Sequence, residues 1–334
     1  MKVIRLKAPA SVGSLRVLEE DPPAPKAGEV LVRVRASSLN PHDDFVVRGI
    51  IPAADGRIPL SDGAGEVVAC GEGVSELSVG DAVVSTFWPY WLSGEMTAAT
   101  RRGIPGENVD GYAREYACMP AHAFTRSPPG LSHAQAATLP CAGVTAWRGL
   151  VVQGKVKPGD TVLVTGSGAV SLFALQFAKA AGARVIATSS SEEKLEKLKR
   201  LGADELINYK ATPNWGERAK ALTDSRGVDH VIEVGGPATF AQSMAACRLG
   251  GHIAVIGLLS GVMAEVNIPA LFSGQIRVSG ISIGSRADQA DMIRAIHVNR
   301  LKPVIDRSFR LEQIAAAFEH YQTQSHFGKI GVEI

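Results

Sequence analysis

Two patterns of hydrophobic and polar residues divide the chain. Up to about residue 125, short valine-rich runs such as EVLVRVRASSL and DAVVSTFW alternate with turn clusters such as DPPAPKAGE, which is typical of an irregular antiparallel β-barrel. From about residue 135, short apolar strands alternate with helical segments; the predicted strands are TVLVTG, ARVIATSS, ELINY, VDHVIEVGG and GHIAVIGLL. This alternation predicts an α/β fold with a doubly wound parallel sheet.

Charge and cysteine content exclude several classes of function. The 35 basic and 33 acidic residues give a net charge of +2 and are spread along the chain, so no basic stripe for nucleic acid or an anionic membrane is present. No apolar stretch reaches the roughly 18 residues that span a bilayer. The four cysteines are far apart and form no CxxC pair, which argues against a disulfide framework. We therefore expect a cytoplasmic protein that binds neither nucleic acid nor membrane.

The stretch TVLVTGSGAVS predicts a phosphate-binding turn between a strand and a helix. Gly166 permits the tight turn, and Gly168 lets the backbone approach a pyrophosphate at the positive end of the following helix. Ser171 stands where a dinucleotide fingerprint has its third glycine, so its hydroxyl either reaches a phosphate or fills the gap between helix and strand. A purely structural turn is the alternative interpretation.

The end of the second predicted strand favours NADPH over NADH. An NAD site needs a carboxylate there to accept hydrogen bonds from the ribose hydroxyls, whereas residues 188–191 read TSSS. Lys194 one turn further on suits a 2′-phosphate, and Tyr209 ends the third strand where its ring can stack near the adenine. The same serines also suit the N-terminus of the next helix, together with Glu192 and Glu193.

These motifs together resemble the medium-chain dehydrogenase/reductase superfamily. The resemblance covers essentially the whole chain and rests on SSLNPHDDFVVRG, PLSDGAGEVVACGEGV, LPCAGVTAW, KPGDTVLVTGSGAVS, LGADELINY and HFGKI. It implies a GroES-like catalytic domain over 1–125 and a Rossmann NADP-binding domain over 126–270. It further implies a C-terminal segment over 271–334 that completes the Rossmann sheet and returns to the catalytic domain. A homodimer is expected by the same resemblance.

The zinc ligands of the superfamily's alcohol dehydrogenases are largely missing. Those enzymes use a cysteine, a histidine and a second cysteine, with a glutamate beside the histidine. This chain has Asn40 and Ser61 at the first two places, Asp62 at the glutamate, and retains only Cys141. One sulfur without partners cannot form the tetrahedral site of catalytic zinc, so no metal is expected. An unusual metal site is the alternative, with ligands from His42, Asp43, Asp62 and Cys141.

What remains resembles the zinc-independent quinone-oxidoreductase branch, which implies a set of NADPH contacts. The residues implied for the adenosine phosphate and the pyrophosphate are Ser189, Lys194, Tyr209, Gly166, Gly168, Ala169 and Val170. The residues implied around the nicotinamide or closing over the cofactor are Thr145, Gly257, Leu258, Ser285, Arg286, Phe327 and Lys329.

Hydride transfer without a metal favours conjugated acceptors, because the negative charge that forms on such an acceptor is delocalised. Asn40 is the predicted donor to the carbonyl oxygen, and His42 or water the predicted proton source. Asp43 is predicted to orient His42 or to position Arg48. A turn in which Asn40 and Asp43 only cap backbone groups is the structural alternative.

The predicted function is an NADPH-dependent, zinc-free oxidoreductase that transfers hydride to a small-molecule quinone or α,β-unsaturated carbonyl acceptor. One alternative is an alcohol dehydrogenase that recruits zinc through atypical ligands. The other is an NADPH-binding sensor without turnover.

Overall fold

The computed structural model describes all 334 residues and divides them into two compact units. Unit 1 comprises Met1–Val144 and Ile283–Ile334, and unit 2 comprises Thr145–Ser282. Residues 126–144, which follow the predicted GroES-like domain, pack with unit 1, where Ala136 and Ala137 are buried in a sheet cluster. The predicted C-terminal segment over 271–334 contributes its first residues to unit 2 and the rest, from Ile283, to unit 1.

Unit 1 is rich in β-structure. Its strands are β1 (Lys2–Leu6), β2 (Leu15–Glu19), β3 (Glu29–Ser38), β4 (Ala64–Cys70), β5 (Ala82–Ser85), β6 (Tyr116–Pro120), β7 (Phe124–Arg126), β14 (Ile305–Arg310) and β15 (Lys329–Glu333). Its helices are α1 (Pro41–Val47), α2 (His133–Ala136), α9 (Arg286–Asn299) and α10 (Ile314–Gln322), with a loosely wound turn at Leu139–Gly143.

Strand β3 organises the larger sheet of unit 1. The strand order is β14-β15-β3-β4-β5-β7, and β6 also pairs with β3. Val30, Val32 and Val34 alternate along β3 and are buried in one hydrophobic cluster, as the period of a half-buried strand requires. The C-terminal strand β15 lies antiparallel to the end of β3, with Gly331 opposite Ser38. The last strand of the chain therefore meets the segment that leads into α1.

Unit 2 confirms the predicted doubly wound parallel sheet. Its strands are β8 (Thr161–Val164), β9 (Arg184–Ser189), β10 (Glu205–Asn208), β11 (Val228–Glu233), β12 (Cys247–Val255) and β13 (Arg277–Gly280). Its helices are α3 (Val144–Trp147, beginning at the last residue of unit 1), α4 (Ala169–Ala180), α5 (Glu192–Arg200), α6 (Trp215–Ala221), α7 (Pro237–Ala246) and α8 (Ile268–Ser273). A looser helical stretch, Arg148–Gln153, continues from α3.

The strand order in unit 2 is β10-β9-β8-β11-β12-β13, and every neighbouring pair is parallel. All six carboxyl ends therefore lie at one edge, and the order reverses direction between β8 and β11. Helices α4 and α5 begin directly beyond the ends of β8 and β9. No helix in either unit combines the length and apolar character that crossing a bilayer requires.

Two histidines are buried side by side in the parallel sheet of unit 2. His230 on β11 and His252 on β12 are register partners, and their rings meet edge to face with centroids 6.0 Å apart. His230 contacts Asp160 through Nε2 at 3.1 Å, whereas neither ring nitrogen of His252 has a hydrogen-bond partner. Burial, with smaller contributions from Arg277 and His230, lowers the pKa of His252 to about 4. Both histidines therefore favour the neutral form in the native state.

We expect the His252→Phe variant to be less sensitive to mild acid than the wild-type protein. The unfolded chain protonates this imidazole near its ordinary pKa, but the native chain does so only near pH 4, so wild-type stability is lost as pH falls through this window. The loss reaches about 3 kcal/mol at most for this one group. Urea unfolding at a series of pH values between the two pKa values measures the slope. His297→Phe, at an exposed position, is the control, and an equal slope in all three proteins would refute the assignment.

Candidate functional site

A cluster of buried polar groups lies in unit 1 where β3 leads into α1. Its centre is the carboxylate of Asp62, which is fully buried. Oδ2 accepts hydrogen bonds from Ser38 Oγ at 2.7 Å, Asn40 Nδ2 at 2.8 Å and Lys329 Nζ at 3.1 Å. Oδ1 accepts from the backbone N–H of Cys141 at 3.1 Å. Burial raises the pKa of Asp62, and Lys329 opposes that effect most strongly.

The ammonium of Lys329 is completely engaged within this cluster. Besides Asp62, it donates to the backbone carbonyl of Leu39 at 2.8 Å and to Asn40 Oδ1 at 2.5 Å. An ammonium has three hydrogens, and here three protein oxygens receive them. Lys329 therefore acts in unit 1 as a buried cation that links β15 to the start of α1. Its predicted role over the cofactor stays a prediction.

Asn40 holds a single orientation through contacts at both ends of its amide. Its Oδ1 accepts from Lys329, and its Nδ2 donates to Asp62 at 2.8 Å and to Ser61 Oγ at 3.3 Å. Both amide hydrogens already have acceptors in the protein. Donation to a substrate carbonyl, the role predicted for Asn40, therefore requires exchange of the longer contact with Ser61.

Asp43 serves the backbone rather than Arg48. Its carboxylate accepts the N–H groups of Asn40 at 2.9 Å and Ser61 at 2.8 Å, which fixes the first turn of α1 against the loop that carries Asp62. Arg48 pairs instead with Asp44, four residues earlier on the same helix, at 3.3 Å. The predicted pairing with Arg48 is therefore wrong, because helical spacing brings Asp44 and not Asp43 to Arg48. The alternative that these side chains cap backbone groups holds for Asp43.

His42 lies beside this cluster with a carboxylate on each side. Its Nε2 is 2.8 Å from Glu107 Oε2, and its Nδ1 is 3.8 Å from Asp43 Oδ1. The ring of Phe87 contacts the imidazole edge to face at 5.2 Å. Burial favours the neutral imidazole, but Asp43 and Glu107 outweigh it and raise the pKa of His42 above its ordinary value. The ring is thus suited to carry a proton near neutral pH.

The donor set around Cys141 does not fit a catalytic zinc. The three ligand places hold an amide, a hydroxyl and one thiol, and a protein ammonium already contacts the central carboxylate. Burial, aided by Asp62, raises the pKa of Cys141 well above its ordinary value, so this side chain is a neutral thiol in its buried setting. No group of three or more His, Cys, Asp or Glu side chains is arranged to hold a metal ion. The atypical zinc site therefore has no suitable donors here.

The aromatic segment FWPYWL mainly builds the interior of unit 1. Phe87, Trp88 and Trp91 are buried and form a cluster with Ile104. Cys141 packs against the same cluster as a small apolar side chain. These aromatic rings thus form an apolar surface, and Phe87 brings it into contact with the imidazole of His42.

The glycine turn of unit 2 has the geometry of a dinucleotide-binding loop. Gly166 has a φ of +73°, a conformation that favours glycine, and its N–H donates to Thr188 Oγ1 at 3.2 Å. Gly168 precedes α4, and a Cβ added to it would meet no atom within 4 Å. Open space at a helix N-terminus suits a phosphate, so the loop fits a nucleotide. Ala169 and Val170 form the first turn of that helix.

Ser171 fills the gap between helix and strand. It is fully buried, and its hydroxyl donates to the carbonyl oxygen of Thr165 at 2.7 Å. The hydroxyl is thereby satisfied within the protein. Serine thus replaces the third glycine without loss of close helix–strand packing.

The residues predicted for the adenosine phosphate lie at the same sheet edge. Ser189 ends β9, and its carbonyl accepts the N–H of Tyr209 at 3.1 Å. Ser191 precedes α5 and accepts the N–H of Lys194 at 3.4 Å, so the predicted helix cap is confirmed. Glu192 points to Asn208, with which it forms a short hydrogen bond. No carboxylate ends β9, as the sequence indicates.

The remaining predicted cofactor contacts divide between the two units. Gly257 and Leu258 follow β12, and a Cβ at Gly257 would lie 1.8 Å from the carbonyl oxygen of Val234. Thr145 is buried in unit 2. The residues that belong to unit 1 are Ser285, Arg286, Phe327 and Lys329. Ser285 precedes α9 and accepts the N–H of Asp288 at 3.1 Å, and Arg286 Nε donates to the carbonyl of Phe124 at 3.0 Å.

Two family models match the two parts of this architecture. The alcohol dehydrogenase GroES-like domain matches residues 26–129, and the zinc-binding dehydrogenase matches residues 169–297. A zinc-type alcohol dehydrogenase-like protein from Schizosaccharomyces pombe is 43% identical over 316 residues, which cover 92% of this chain and 91% of that protein. The chain belongs to the medium-chain dehydrogenase/reductase superfamily. It is an alcohol dehydrogenase-like oxidoreductase that uses a nicotinamide cofactor.

Solved structures and a further relative bear on fold and chemistry. A provisionally named alcohol dehydrogenase from Sinorhizobium meliloti 1021 is 38% identical with a TM-score of 0.93, covering 100% of this chain and 99% of that one. An NAD-dependent alcohol dehydrogenase is 32% identical with a TM-score of 0.91, covering 100% of both chains. An acryloyl-coenzyme A reductase from Metallosphaera sedula is 29% identical, covering 94% of this chain and 95% of that protein. The crotonyl-CoA carboxylase/reductase AntE, solved with NADP, is 25% identical with a TM-score of 0.88, covering 100% and 94%.

Sequence reasoning missed two residues of the unit 1 site. Glu107 is 65 residues from His42, and no motif relates the two positions. Ser38 lies in the run SSLNPHDD, but its contact with Asp62 depends on a strand register that the sequence does not reveal. The one sequence feature that pointed to a buried polar cluster was the polar run SSLNPHDD, which follows a largely apolar strand.

We expect Lys329→Met to destabilise the protein strongly, because it leaves the carboxylate of Asp62 buried without a cation. Removing one partner of a buried pair costs about 3–5 kcal/mol. The double variant Lys329→Met/Asp62→Asn should recover much of this loss, since the remaining amide carries no charge. Lys179→Met removes the exposed pair with Asp204 and serves as the control, with an expected cost below about 1 kcal/mol. Urea unfolding compares them; equal losses for Lys329→Met and Lys179→Met would contradict the assigned role.

Proposed function

We propose that this protein is an NADPH-dependent, metal-independent reductase of α,β-unsaturated carbonyl or quinone acceptors. The observation that carries the proposal is the polar cluster of unit 1. At the place where zinc enzymes bind their metal, this chain has Asn40, Ser61 and the buried ammonium of Lys329, with His42 beside them. Such a site supplies hydrogen bonds and a proton but no Lewis acid.

Separate residues of the chain bind the cofactor, orient the acceptor and donate the proton. A bound nicotinamide supplies the hydride, and Gly166, Gly168 and the N-terminus of α4 would hold its pyrophosphate. Asn40 is oriented by Lys329 and Asp62, so its amide can exchange the Ser61 contact for an acceptor oxygen. His42 carries a proton that the reduced acceptor needs.

Conjugated acceptors suit this site because they need little polarisation. When hydride adds to an enone or a quinone, the charge spreads into an enolate or a hydroquinone, and a hydrogen bond with a proton donor is sufficient. A simple aldehyde or ketone gains more from a metal. The names of the acryloyl-coenzyme A reductase and of AntE, both acting on conjugated thioesters, support this choice.

NADPH is the proposed cofactor because β9 ends without a carboxylate. Residues 188–191 offer hydroxyls, and Lys194 follows in the first turn of α5. A carboxylate at this place would bind the ribose hydroxyls of NADH and repel a 2′-phosphate. The relative named as NAD-dependent keeps NADH as the second candidate.

Oxidation of NADPH by the purified protein, followed at 25 °C against a panel of quinones, enones, enoyl thioesters and simple aldehydes, tests the proposal. We expect turnover of the conjugated acceptors, at least tenfold lower kcat/KM for the aldehydes, and no change when a chelator is present. An alcohol dehydrogenase with bound zinc predicts the reverse order of substrates and loss of activity with the chelator. Binding of NADPH without consumption across the whole panel would favour a sensor.

We expect Lys194→Ala to weaken NADPH binding at least tenfold and NADH binding by less than twofold, because only NADPH carries the 2′-phosphate that an ammonium can pair with. Lys199→Ala on the exposed side of the same helix is the matched control. Fluorescence titration of each nucleotide measures the dissociation constants. Equal losses for both nucleotides would show that Lys194 does not distinguish them.

We further propose a homodimer in a reducing compartment such as the cytosol. Strand β13 lies at the edge of the unit 2 sheet and leaves its outer main-chain groups unpaired. Exposed apolar side chains precede and accompany it, among them Met263, Phe272 and Val278. A second copy can cover both the edge and the apolar residues around a twofold axis. All four cysteines are free thiols, which suits a reducing compartment.

A further inference from the structure

We propose that Glu107 is a positioning residue that holds His42 as the proton donor of the reaction, with Nε2 turned to Glu107 and Nδ1 left to deliver the proton. The inference rests on the proposed reduction and adds the atom that gives up the proton and the residue that prepares it. Hydrogen bonds hold Glu107 in place, Glu107 and Phe87 contact the imidazole of His42, and Nδ1 of that ring has no hydrogen-bond partner.

Glu107 is fixed by its own loop. Its second oxygen, Oε1, accepts from Asn108 Nδ2 at 2.8 Å, and Asn108 Oδ1 accepts the N–H of Ile104 at 3.1 Å. The N–H of Gly106 donates to Val109 at 2.9 Å and closes the turn. Gly106 has a φ of +85°, and its missing Cβ would lie 3.0 Å from the backbone of Leu60. The loop is therefore held against the segment that leads to Ser61 and Asp62.

The imidazole of His42 is held on two sides by groups that leave one nitrogen without a hydrogen bond. Glu107 contacts Nε2 at 2.8 Å, and the ring of Phe87 meets the imidazole edge to face. Nδ1 is buried and has no hydrogen-bond partner. The nearest carboxylate oxygen, on Asp43, is 3.8 Å away and already receives the N–H of Ser61. A buried nitrogen without a partner is costly to keep unless an acceptor visits it.

The charged groups that face His42 are both carboxylates. Asp43 lies on its own helix and Glu107 on the facing loop, while the Phe87 side is apolar. Burial works against protonation, but the two carboxylates together raise the pKa of His42 above its ordinary value. Both carboxylates are held in place by hydrogen bonds to backbone or side-chain groups, so they favour the protonated imidazole.

The step balances with the reduced nicotinamide as the only reductant. After hydride has been added to the conjugated acceptor, the Nδ1–H bond of His42 breaks and a new C–H or O–H bond forms on the acceptor. The electron pair of the N–H bond stays on Nδ1. His42 is then neutral, with its remaining proton on Nε2 facing Glu107, and a proton from solvent restores the starting state.

The test compares Glu107→Gln with the wild-type protein in two measurements. Glutamine keeps a hydrogen-bonding oxygen toward Nε2 but removes the charge, so the fold should persist. In cofactor-free protein, an NMR titration of the imidazole signals, with His42→Asn identifying the signal of His42, should show its pKa falling by at least half a unit. In the NADPH-dependent reduction of an enone, the fall in kcat at high pH should move to lower pH by the same amount. Glu95→Gln, at an exposed glutamate, should leave both measurements unchanged.

The outcomes separate this inference from the proposed function. An unchanged titration of His42 in Glu107→Gln would overturn the role of Glu107. A shifted titration with an unshifted rate profile would overturn His42 as the proton donor while leaving the reductase activity intact. A wild-type protein that oxidises no NADPH would refute the proposed function, and the NMR titration would still report whether Glu107 prepares the imidazole.

Discussion

The buried ion pair between Lys329 and Asp62 is the constraint on which the polar cluster of unit 1 depends. A carboxylate with no exposure to solvent needs compensation, and four donors supply it: a lysine, an asparagine, a serine and a backbone N–H. These donors come from β15, the start of α1, β3 and the turn at Leu139–Gly143. Satisfying one carboxylate therefore joins its own loop to three separate segments of the chain: the stretch from β3 into α1, the turn at Leu139–Gly143, and β15. The orientation of Asn40 follows from it.

The same arrangement bears on the proposed metal-independent reaction. The positive charge beside Asn40 belongs to a side chain of the protein, the ammonium of Lys329. An ammonium polarises an oxygen less than a divalent ion does, because it only donates hydrogen bonds, and the three hydrogens of Lys329 already go to protein oxygens. Because polarisation of the acceptor oxygen is weak at such a site, the proposed reaction prefers conjugated acceptors, which need little of it. In the proposed reaction, the main chemical contribution of the protein is therefore the proton given to the reduced acceptor. The groups around His42 determine how readily the imidazole can supply it.

Much of the fold and part of the site could be predicted from the sequence. Local patterns sufficed for the parallel sheet, since TVLVTG and ARVIATSS each form the strand predicted. The glycine turn and the helix cap at Ser191 could also be predicted, because each depends only on residues that are close in the sequence. The helical pattern around Ala136 does not reveal which sheet covers it, so the packing of this segment with unit 1 could not be predicted. The pairs Lys329–Asp62 and His42–Glu107 were invisible for a related reason, since they join residues far apart through strand register and loop closure.

The discontinuous composition of unit 1 has a consequence for the order in which the site can form during synthesis. Asp62 is synthesised well before Lys329, and all of unit 2 lies between them along the chain. Until β15 is added beside β3, the carboxylate lacks its cation and Asn40 lacks the donor that sets its amide. The polar cluster around Asp62 therefore cannot form until synthesis has passed β15, after the whole of unit 2 has been made.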